Sequence, residues 1–373
     1  MKLLYIANIR LPTEKAHGVQ IMEMASAFTA AGAEVELVVP RRKNHIGDDP
    51  FDFYRVEKTF TITRLFTWDL VAFGRIGFTI ESLTFSFAAL VHALRSDDDV
   101  VVYSRDEFIL FLLSFFSKRY VYEPHIGKWH FIVRSAMTGA LLATPITIGL
   151  EDFFIKKGVP AGRMIVSPDG VNLERFTHQE GRELSRERLG LPKTKYLVLY
   201  SGHLYARKGP QLLAEAAQYF DQNTVAVFVG GTNEDIALFK RAYGNKENIL
   251  IVGHKPHEDI PYFLSAADVL ILPNSGKSDD ARLYTSPMKL FEYMTSGVPI
   301  VASDVPSLRE ILTPESAIFF APDDAHDLAD KVKFVISEPK QSALLAKHAR
   351  NVVEGYSWKK RAAAILKEIN ERR

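Results

Sequence analysis

The stretch YLVLYSGHLYARKGPQLLAEAA, residues 196–217, decides the fold. It begins with an apolar run typical of a buried strand, passes through a basic loop that contains glycine, and ends in a helical pattern. Pro210 stands where the first helical residue is expected. A strand, a loop and a helix in this order predict one unit of a parallel sheet that is covered by helices.

The same rhythm recurs along most of the 373 residues. The segment 168–195 is rich in charged residues, Pro and Gly, which predicts a domain boundary. We predict an α/β protein with two Rossmann-like, doubly wound domains that face each other across a cleft. The predicted domains are residues 1–170 and 171–355. A last amphipathic helix, 356–373, is expected to cross back to the first domain. The further strands are predicted at KLLYIAN, EVELVVP, DVVVYS, KRYVYEP, RMIVSPDG, TVAVFVGG, NILIVG, DVLILP and PIVASD; Gly18 is expected in the loop after the first, and Gly32 at the end of the first helix.

The composition excludes several classes of function. There is no cysteine, so disulfides, thiolate catalysis and Cys-ligated zinc are excluded. Lys plus Arg number 46 and Asp plus Glu 45, so no global basic field indicates nucleic acid as a partner. The Asp-rich runs SDDDV and PDDAHDLAD are more typical of solvated charge than of a metal site. The N-terminus does not have the pattern of a signal peptide, because its apolar run is short and polar residues follow closely.

Two loops of the second half suggest an anion site. The helix after 196–202 follows Arg207, Lys208 and Gly209, and a second helix start is expected at Ser286 and Pro287, with Lys289 in its first turn. A cation is unfavourable at the positive end of a helix dipole unless an anion lies in front of it. Lys289 is therefore either a solvated side chain or a ligand of phosphate.

Glu292 follows Lys289 by three residues, so both lie on one helix face. Two interpretations are open. Either the two residues form a surface ion pair, or Glu292 accepts hydrogen bonds from ligand hydroxyls, as acidic residues do with ribose. The chain has neither G-x-G-x-x-G nor G-x-x-x-x-G-K-[ST], so an NAD fingerprint and a P-loop are both absent from the sequence.

Several ordered motifs resemble one family. SPMKLFEYMTSGVPIVASDVPSLREIL resembles the donor-binding signature of retaining glycosyltransferases with the GT-B fold, family 4, and GHLYARKG resembles their pyrophosphate loop. SPDGVNLERF resembles their interdomain segment, and HGVQIMEMASAFTAAGAEVELVVP their glycine loop and first helix. The likeness covers nearly the whole chain and is strongest from 196 to 312.

The resemblance implies roles for individual residues. It implies that His125 and Lys208 are catalytic, with Lys208 on the diphosphate and His125 near the transferred sugar. The implied donor-binding residues are Gly18, His203, Arg207, Lys255, Tyr284, Ser286, Pro287, Lys289, Leu290 and Glu292. Two positions depart from the family: Tyr284 stands where a sugar-binding Glu is usual, and His203 where Arg is common.

The resemblance also implies a reaction. A sugar would move from a nucleoside-diphosphate sugar to a hydroxyl of a glycan, a lipid-linked or a small-molecule acceptor, with retention and with the phosphate as base. It implies no cofactor and no metal. A nucleotide-sugar epimerase of the same architecture and a non-catalytic nucleotide-sugar binding protein are the alternatives, and Tyr284 and His203 are the features that favour the latter.

One apolar segment of the first predicted domain, where the acceptor is expected, has two possible interpretations. The segment from Phe60 to Leu94 is rich in Phe, Leu and Ile and contains Trp68, and the basic run RRK occupies 41–43. We expect this segment to pack as core helices; the alternative is an amphipathic surface that meets membrane lipids. A cytoplasmic location, with or without peripheral contact to the inner face of the membrane, is the corresponding expectation.

Overall fold

The computed structural model describes residues 1–177, 180–205 and 208–373. These residues form two compact units, which are described separately. The first comprises Met1–Asp169 together with Trp358–Arg373, and the second comprises Gly170–Ser357.

The first unit contains a parallel six-stranded sheet with the strand order β3-β2-β1-β4-β5-β6. Its strands are β1 (Lys2–Ile6), β2 (Glu34–Pro40), β3 (Thr61–Leu65), β4 (Val101–Ser104), β5 (Tyr120–Tyr122) and β6 (Leu142–Ala143). Its helices are α1 (Ala16–Ala30), α2 (Pro50–Tyr54), α3 (Gly74–Arg95), α4 (Glu107–Leu113), α5 (Phe131–Gly139), α6 (Ile148–Lys156) and the last helix, α17 (Trp358–Arg372). Short 3₁₀ turns lie at Val71–Phe73 and Ala161–Arg163.

The second unit contains another parallel six-stranded sheet, in the order β12-β11-β10-β7-β8-β9. Its strands are β7 (Tyr196–Ser201), β8 (Thr224–Val229), β9 (Ile249–Gly253), β10 (Val269–Leu272), β11 (Ile300–Ser303) and β12 (Ile318–Phe320). Its helices are α7 (Leu173–Thr177), α8 (Arg182–Leu189), α9 (Pro210–Ala216), α10 (Asn233–Tyr243), α11 (Ile260–Ala266), α12 (Asp279–Arg282), α13 (Met288–Ser296), α14 (Pro306–Arg309), α15 (Ala325–Ser337) and α16 (Pro339–Val353). Further 3₁₀ turns lie at Ala217–Tyr219, His257–Asp259 and Glu354–Tyr356.

Both faces of the second sheet are covered by apolar side chains. Leu197 and Leu199 of β7 belong to one buried cluster, while Val198 and Tyr200 belong to another. Successive side chains of a strand point to opposite faces, so these clusters lie on the two sides of the sheet. Burial on both faces explains why the central strands read as continuous apolar runs, and the predicted class of two doubly wound α/β domains is confirmed.

Several local predictions need correction. Gly18 lies inside α1 and not in the preceding loop, because that helix already begins at Ala16. The run RMIVSPDG was predicted as a strand, but Met164 makes only an isolated bridge with Ala143. The helix expected to begin at Pro287 begins one residue later, at Met288, because Pro287 has extended backbone angles (φ −83°, ψ 119°). Three short strands were not predicted: β3, β6 and β12.

Candidate functional site

Glycines line the carboxyl edge of the second sheet. Gly202 follows β7 with φ 123°, and Gly230 follows β8 with φ 113°. The two turns touch, because a β-carbon added to Gly230 would lie only 2.6 Å from the carbonyl oxygen of Gly202. Backbone without side chains is therefore presented where parallel sheets bind their ligands.

Lys289 reaches this edge from the first turn of α13. Its Nζ lies 3.6 Å from the centroid of the Tyr200 ring, and a β-carbon on Gly202 would lie 3.0 Å from the same atom. The side chain is partly buried. Burial, and after it the positive charge of Lys208, lowers the pKa of Lys289 well below its usual value, against the pull of Glu292. Lys289 is thus no freely solvated lysine, and an anion placed beside it would favour its charged form.

Lys208 and the start of α9 lie against the neighbouring strand. The N–H of Lys208 donates to the carbonyl of Tyr205 (2.9 Å). Gly209 has φ 76°, and a β-carbon there would lie 1.7 Å from the carbonyl oxygen of Pro273, which follows β10. Gly209 therefore lies in close contact with the backbone that follows β10. Arg207, the other basic residue predicted here, lies outside the described residues.

Glu292 belongs to a chain of polar side chains. It is 8% exposed, and its Oε1 lies 2.8 Å from Nε2 of His257. Nδ1 of His257 lies 2.9 Å from Nη1 of Arg175. Because a guanidinium only donates, Nδ1 accepts and the Nε2–H donates to Glu292. Within the described ranges 1–177, 180–205 and 208–373, Glu292 pairs with His257 and not with Lys289, so the surface pair, one of the two alternatives, is not observed. His257 and Arg175 were not among the predicted site residues.

The remaining predicted residues of the second unit differ in burial and in their hydrogen bonds. Pro287 caps α13 without a side-chain bond, and Ser286 precedes it. Leu290 is fully buried and its N–H donates to the carbonyl of Pro287 (2.8 Å), so this amide is already engaged. Tyr284 is 9% exposed, and burial raises the pKa of its hydroxyl. Lys255 lies in the loop after β9 and is partly buried.

His203 directly follows the glycine at the end of β7. Its ring stacks on Tyr205, with the ring centres 4.9 Å apart, and its Nδ1 lies 3.7 Å from Oδ2 of Asp235. Asp235 is the acidic residue of the capping box that begins α10.

In the first unit, His125 lies three residues beyond the end of β5. Its Nε2 is 2.5 Å from Oε1 of Glu123, which is fully buried. Sequence reasoning missed Glu123, because a lone acidic residue at a strand end carries no motif. Its burial becomes visible only when its partners are brought together.

Gly18 is explained by packing inside the first unit. A β-carbon there would lie 2.1 Å from the hydroxyl oxygen of Tyr54. That hydroxyl accepts from the N–H of Thr13 (2.7 Å) and donates to its carbonyl (2.8 Å). Any larger residue at position 18 would displace Tyr54.

A metal site does not emerge from the described part of the chain, since no group of three or more His, Cys, Asp or Glu side chains within it is placed to hold an ion. The chemistry of the second unit is that of an anion site: two lysines, a glycine-lined sheet edge and a buried carboxylate with one histidine partner.

Comparison with known proteins agrees with this chemistry. Residues 181–352 match the family model "Glycosyl transferases group 1". The D-inositol 3-phosphate glycosyltransferase of Xylanimonas cellulosilytica is 28% identical over 232 residues, which are 58% of this chain and 53% of that protein. The UDP-Gal:alpha-D-GlcNAc-diphosphoundecaprenol alpha-1,3-galactosyltransferase of Escherichia coli is 27% identical over 54% of this chain and 53% of its own length. The matches thus span about half the length of these relatives.

The fold has a full-length counterpart among solved structures. The crystal structure of Anabaena HepE in complex with UDP superposes with a TM-score of 0.77 at 16% identity and covers 100% of both chains. This likeness confirms the predicted GT-B fold. The placement of the two units across a cleft stays a prediction.

Proposed function

We propose that this chain, whose residues 181–352 match the family model of the glycosyl transferases group 1, transfers a sugar from a nucleoside-diphosphate sugar to a hydroxyl acceptor. The observation that carries the proposal is the position of Lys289. Its side chain extends from α13 to the end of β7, and the charge of Lys208 contributes to its lowered pKa. Burial and the positive charge of Lys208 both disfavour the protonated form of Lys289 in the free protein. A diphosphate between the two lysines would relieve this repulsion.

The same lysines supply what the chemistry needs. As the glycosidic bond breaks, the nucleoside diphosphate gains negative charge, and the sugar acquires oxocarbenium character. Lys208 and Lys289 stabilise the leaving group where this charge develops, and removing one such group typically costs about 2.7–4 kcal/mol of barrier. Transfer with retention, with the departing phosphate as base and no cofactor or metal, is part of the proposal because the family resemblance implies it.

Glu292 is assigned to the ribose. One of its oxygens is engaged by His257, and an ionised carboxylate has acceptor sites left for the hydroxyls of a nucleoside. The loop after β9, with Lys255, is assigned to the base. Tyr284 is assigned to the sugar end, where its buried phenol replaces the usual acidic residue.

Donor turnover tests the proposal. Purified protein is incubated with a panel of nucleotide sugars without acceptor, and release of nucleoside diphosphate is followed. We expect slow hydrolysis of at least one donor and a loss of about 100- to 1,000-fold in Lys208→Met. Lys333→Met, an exposed lysine of α15 in the same unit, is the matched control.

The outcomes separate the alternatives. Binding without turnover of any donor, with or without added acceptors, identifies the non-catalytic relative. Recovery of an isomerised donor sugar identifies the epimerase. The curated relatives are named as glycosyltransferases, which favours transfer over epimerisation.

A membrane is the proposed setting of the acceptor. α3, with the 3₁₀ turn before it, is long and apolar enough to cross a membrane by length and composition alone, which is weak evidence by itself. The helix packs one face on the first unit and exposes large apolar side chains on the other, contrary to the expected core packing. The exposed ones from the 3₁₀ turn to the helix end are Phe73, Ile76, Phe78, Leu83, Phe87 and Leu94.

Basic residues border this apolar surface. The N–H of Lys43 donates to Asp69 (2.7 Å), and Nε of Arg42 lies 3.4 Å from the same carboxylate. Asp69 follows the exposed Trp68, so the run 41–43 lies beside the start of the apolar surface. Apolar side chains next to cations suit an anionic lipid surface. We therefore assign a lipid-linked acceptor, polysaccharide biosynthesis and a position on the cytoplasmic face of the membrane; the Escherichia coli relative is named for a diphosphoundecaprenol acceptor.

Vesicle co-sedimentation tests the membrane assignment. We expect binding to phosphatidylglycerol vesicles at low salt and loss of binding near 1 M salt, where charges are screened within about 3 Å. The variant Ile76→Gln with Phe87→Gln should bind weakly, while Leu344→Gln, an exposed leucine of the second unit, should bind like the wild type. Absence of binding at low salt, or equal binding by both variants, contradicts the assignment.

A further inference from the structure

Glu123 is a buried acid with an unusual number of partners. It directly follows β5, is fully buried, and is contacted by four side chains of the first unit. Nε2 of Gln20 donates to Oε1 (2.7 Å), Nη2 of Arg361 donates to Oε2 (3.1 Å), and the hydroxyl of Tyr103 also donates to Oε2. The fourth partner is the ring of His125, 2.5 Å from Oε1.

These contacts keep Glu123 ionised. Burial alone would raise its pKa, but the Arg361 guanidinium, and after it His125, hold the pKa of this carboxyl well below its usual value. Arg361 belongs to α17 and is itself anchored, because its Nε and Nη2 donate to the carbonyl of Ser167 (3.2 and 3.1 Å). The last helix of the chain therefore brings the charge that stabilises the carboxylate.

An ionised carboxylate settles which nitrogen of His125 carries the proton. A carboxylate only accepts hydrogen bonds, so Nε2 must donate to Glu123. A neutral ring that is protonated at Nε2 has its lone pair at Nδ1. The His125 ring hydrogen-bonds to Glu123, and its side chain remains 25% exposed.

We propose that Glu123 is a positioning residue, which fixes the Nε2–H tautomer of His125 so that Nδ1 accepts a hydrogen bond from a ligand hydroxyl. The place is the carboxyl edge of β5, where parallel sheets bind their ligands. This inference rests on the proposed function, which supplies two sources of such a hydroxyl: the transferred sugar and the acceptor. A phosphate oxygen without a proton cannot fill this position opposite a neutral ring.

Nitrogen NMR of the histidine rings tests the tautomer directly. The chain has 11 histidines, and loss of one signal in His125→Gln assigns the ring. We expect the neutral ring of the wild type to be protonated at Nε2, and Glu123→Gln to give a mixture of tautomers. A wild-type ring protonated at Nδ1, or an unchanged tautomer in Glu123→Gln, overturns the proposal. If Glu123→Gln does not fold, the wild-type spectrum alone tests the tautomer.

Kinetics separate positioning from a merely structural role. At metal sites, loss of a carboxylate that orients a ligating histidine costs about 10- to 100-fold in activity, and we expect a loss of this size from Glu123→Gln. In a His125→Gln background the same change should cost no more than about twofold, because the ring it positions is already gone. Equal losses in both backgrounds would mean that Glu123 acts only on stability, and would refute the positioning role.

The substrate dependence identifies the hydroxyl. If donor hydrolysis and sugar transfer fall equally in Glu123→Gln, the hydroxyl belongs to the donor sugar. If transfer alone falls, with a raised KM for the acceptor, it belongs to the acceptor. A wild-type protein that turns over no donor would defeat the proposed function, while the tautomer measurement would still decide the role of Glu123.

Discussion

Replacing Lys289 with Met removes a charge but keeps most of the apolar volume of the side chain. The lowered pKa of Lys289 means that the folded protein binds its proton less well than the unfolded chain does. Between the folded-state pKa and the ordinary value of 10.5, the unfolded state carries more of this proton, so the stability of the wild type rises with pH across that window. One proton corresponds to a slope of at most about 1.4 kcal/mol per pH unit.

Lys289→Met has no such proton to lose. We therefore expect the wild type to gain stability relative to the variant as the pH rises from the lowered pKa of Lys289 towards its ordinary value of 10.5, with a difference in slope that approaches about 1.4 kcal/mol per unit. Urea denaturation at a series of pH values measures this difference, and Lys333→Met provides the control for loss of an ordinary exposed lysine. Parallel stability curves for Lys289→Met and the wild type would refute the account of this site.

Binding of a diphosphate should raise the pKa of Lys289 again. A diphosphate next to Lys289 favours the protonated amine, so binding takes up protons in the same pH window. Calorimetry in buffers of different ionisation enthalpy measures this uptake. We expect uptake by the wild type and none by Lys289→Met, whose affinity should fall about 10- to 100-fold, since a hydrogen bond to a charged group contributes about 1.5–3 kcal/mol. Equal proton uptake by both proteins would contradict the assignment of Lys289.

Three further predictions concern the rest of the structure. Gly209→Ala should lower the free energy of unfolding by about 2–4 kcal/mol in urea denaturation, because a β-carbon would clash with the Pro273 carbonyl at a positive φ; a loss under 1 kcal/mol, on the order of an ordinary surface change, would contradict this packing. Arg361→Met should cost about 3–5 kcal/mol by leaving Glu123 charged and buried, with Lys359→Met on the same helix as the comparison; equal stability of the two variants would count against the ion pair. Glu292→Gln should weaken binding of a nucleoside diphosphate about 10-fold or more and leave inorganic pyrophosphate unaffected, and an equal loss for both ligands would remove Glu292 from the ribose.

The central strands could be predicted because they are buried on both faces. β7, β8 and β10 read as unbroken apolar runs, and glycines follow β7 and β8. β3 lies at the sheet edge and has only two apolar residues in the sequence TITRL, without strict alternation, and β6 has only two residues, so neither stood out. Their pairing with a neighbouring strand makes them strands, and sequence alone does not carry that information.

The site was predictable where function imposes a local pattern. Lys208 and Lys289 stand in recognisable motifs, and the structure brings Lys289 to the end of β7, while Gly209, next to Lys208, lies against the residue that follows β10. The partners of the buried acids could not be found in this way. Arg361 lies 238 positions from Glu123, and His257 lies 35 positions from Glu292. These contacts depend on tertiary packing, so only the folded chain reveals them.

The proposed binding of a diphosphate by Lys208 and Lys289 is tested most directly by calorimetric titration with nucleoside diphosphates and the matching monophosphates. We expect at least one diphosphate to bind the wild type at least about 10-fold more tightly than its monophosphate, a difference of about 1.4 kcal/mol, and the double variant Lys208→Met, Lys289→Met to lose this preference. A wild type that binds mono- and diphosphates alike, or a double variant that keeps the full preference, would contradict the account.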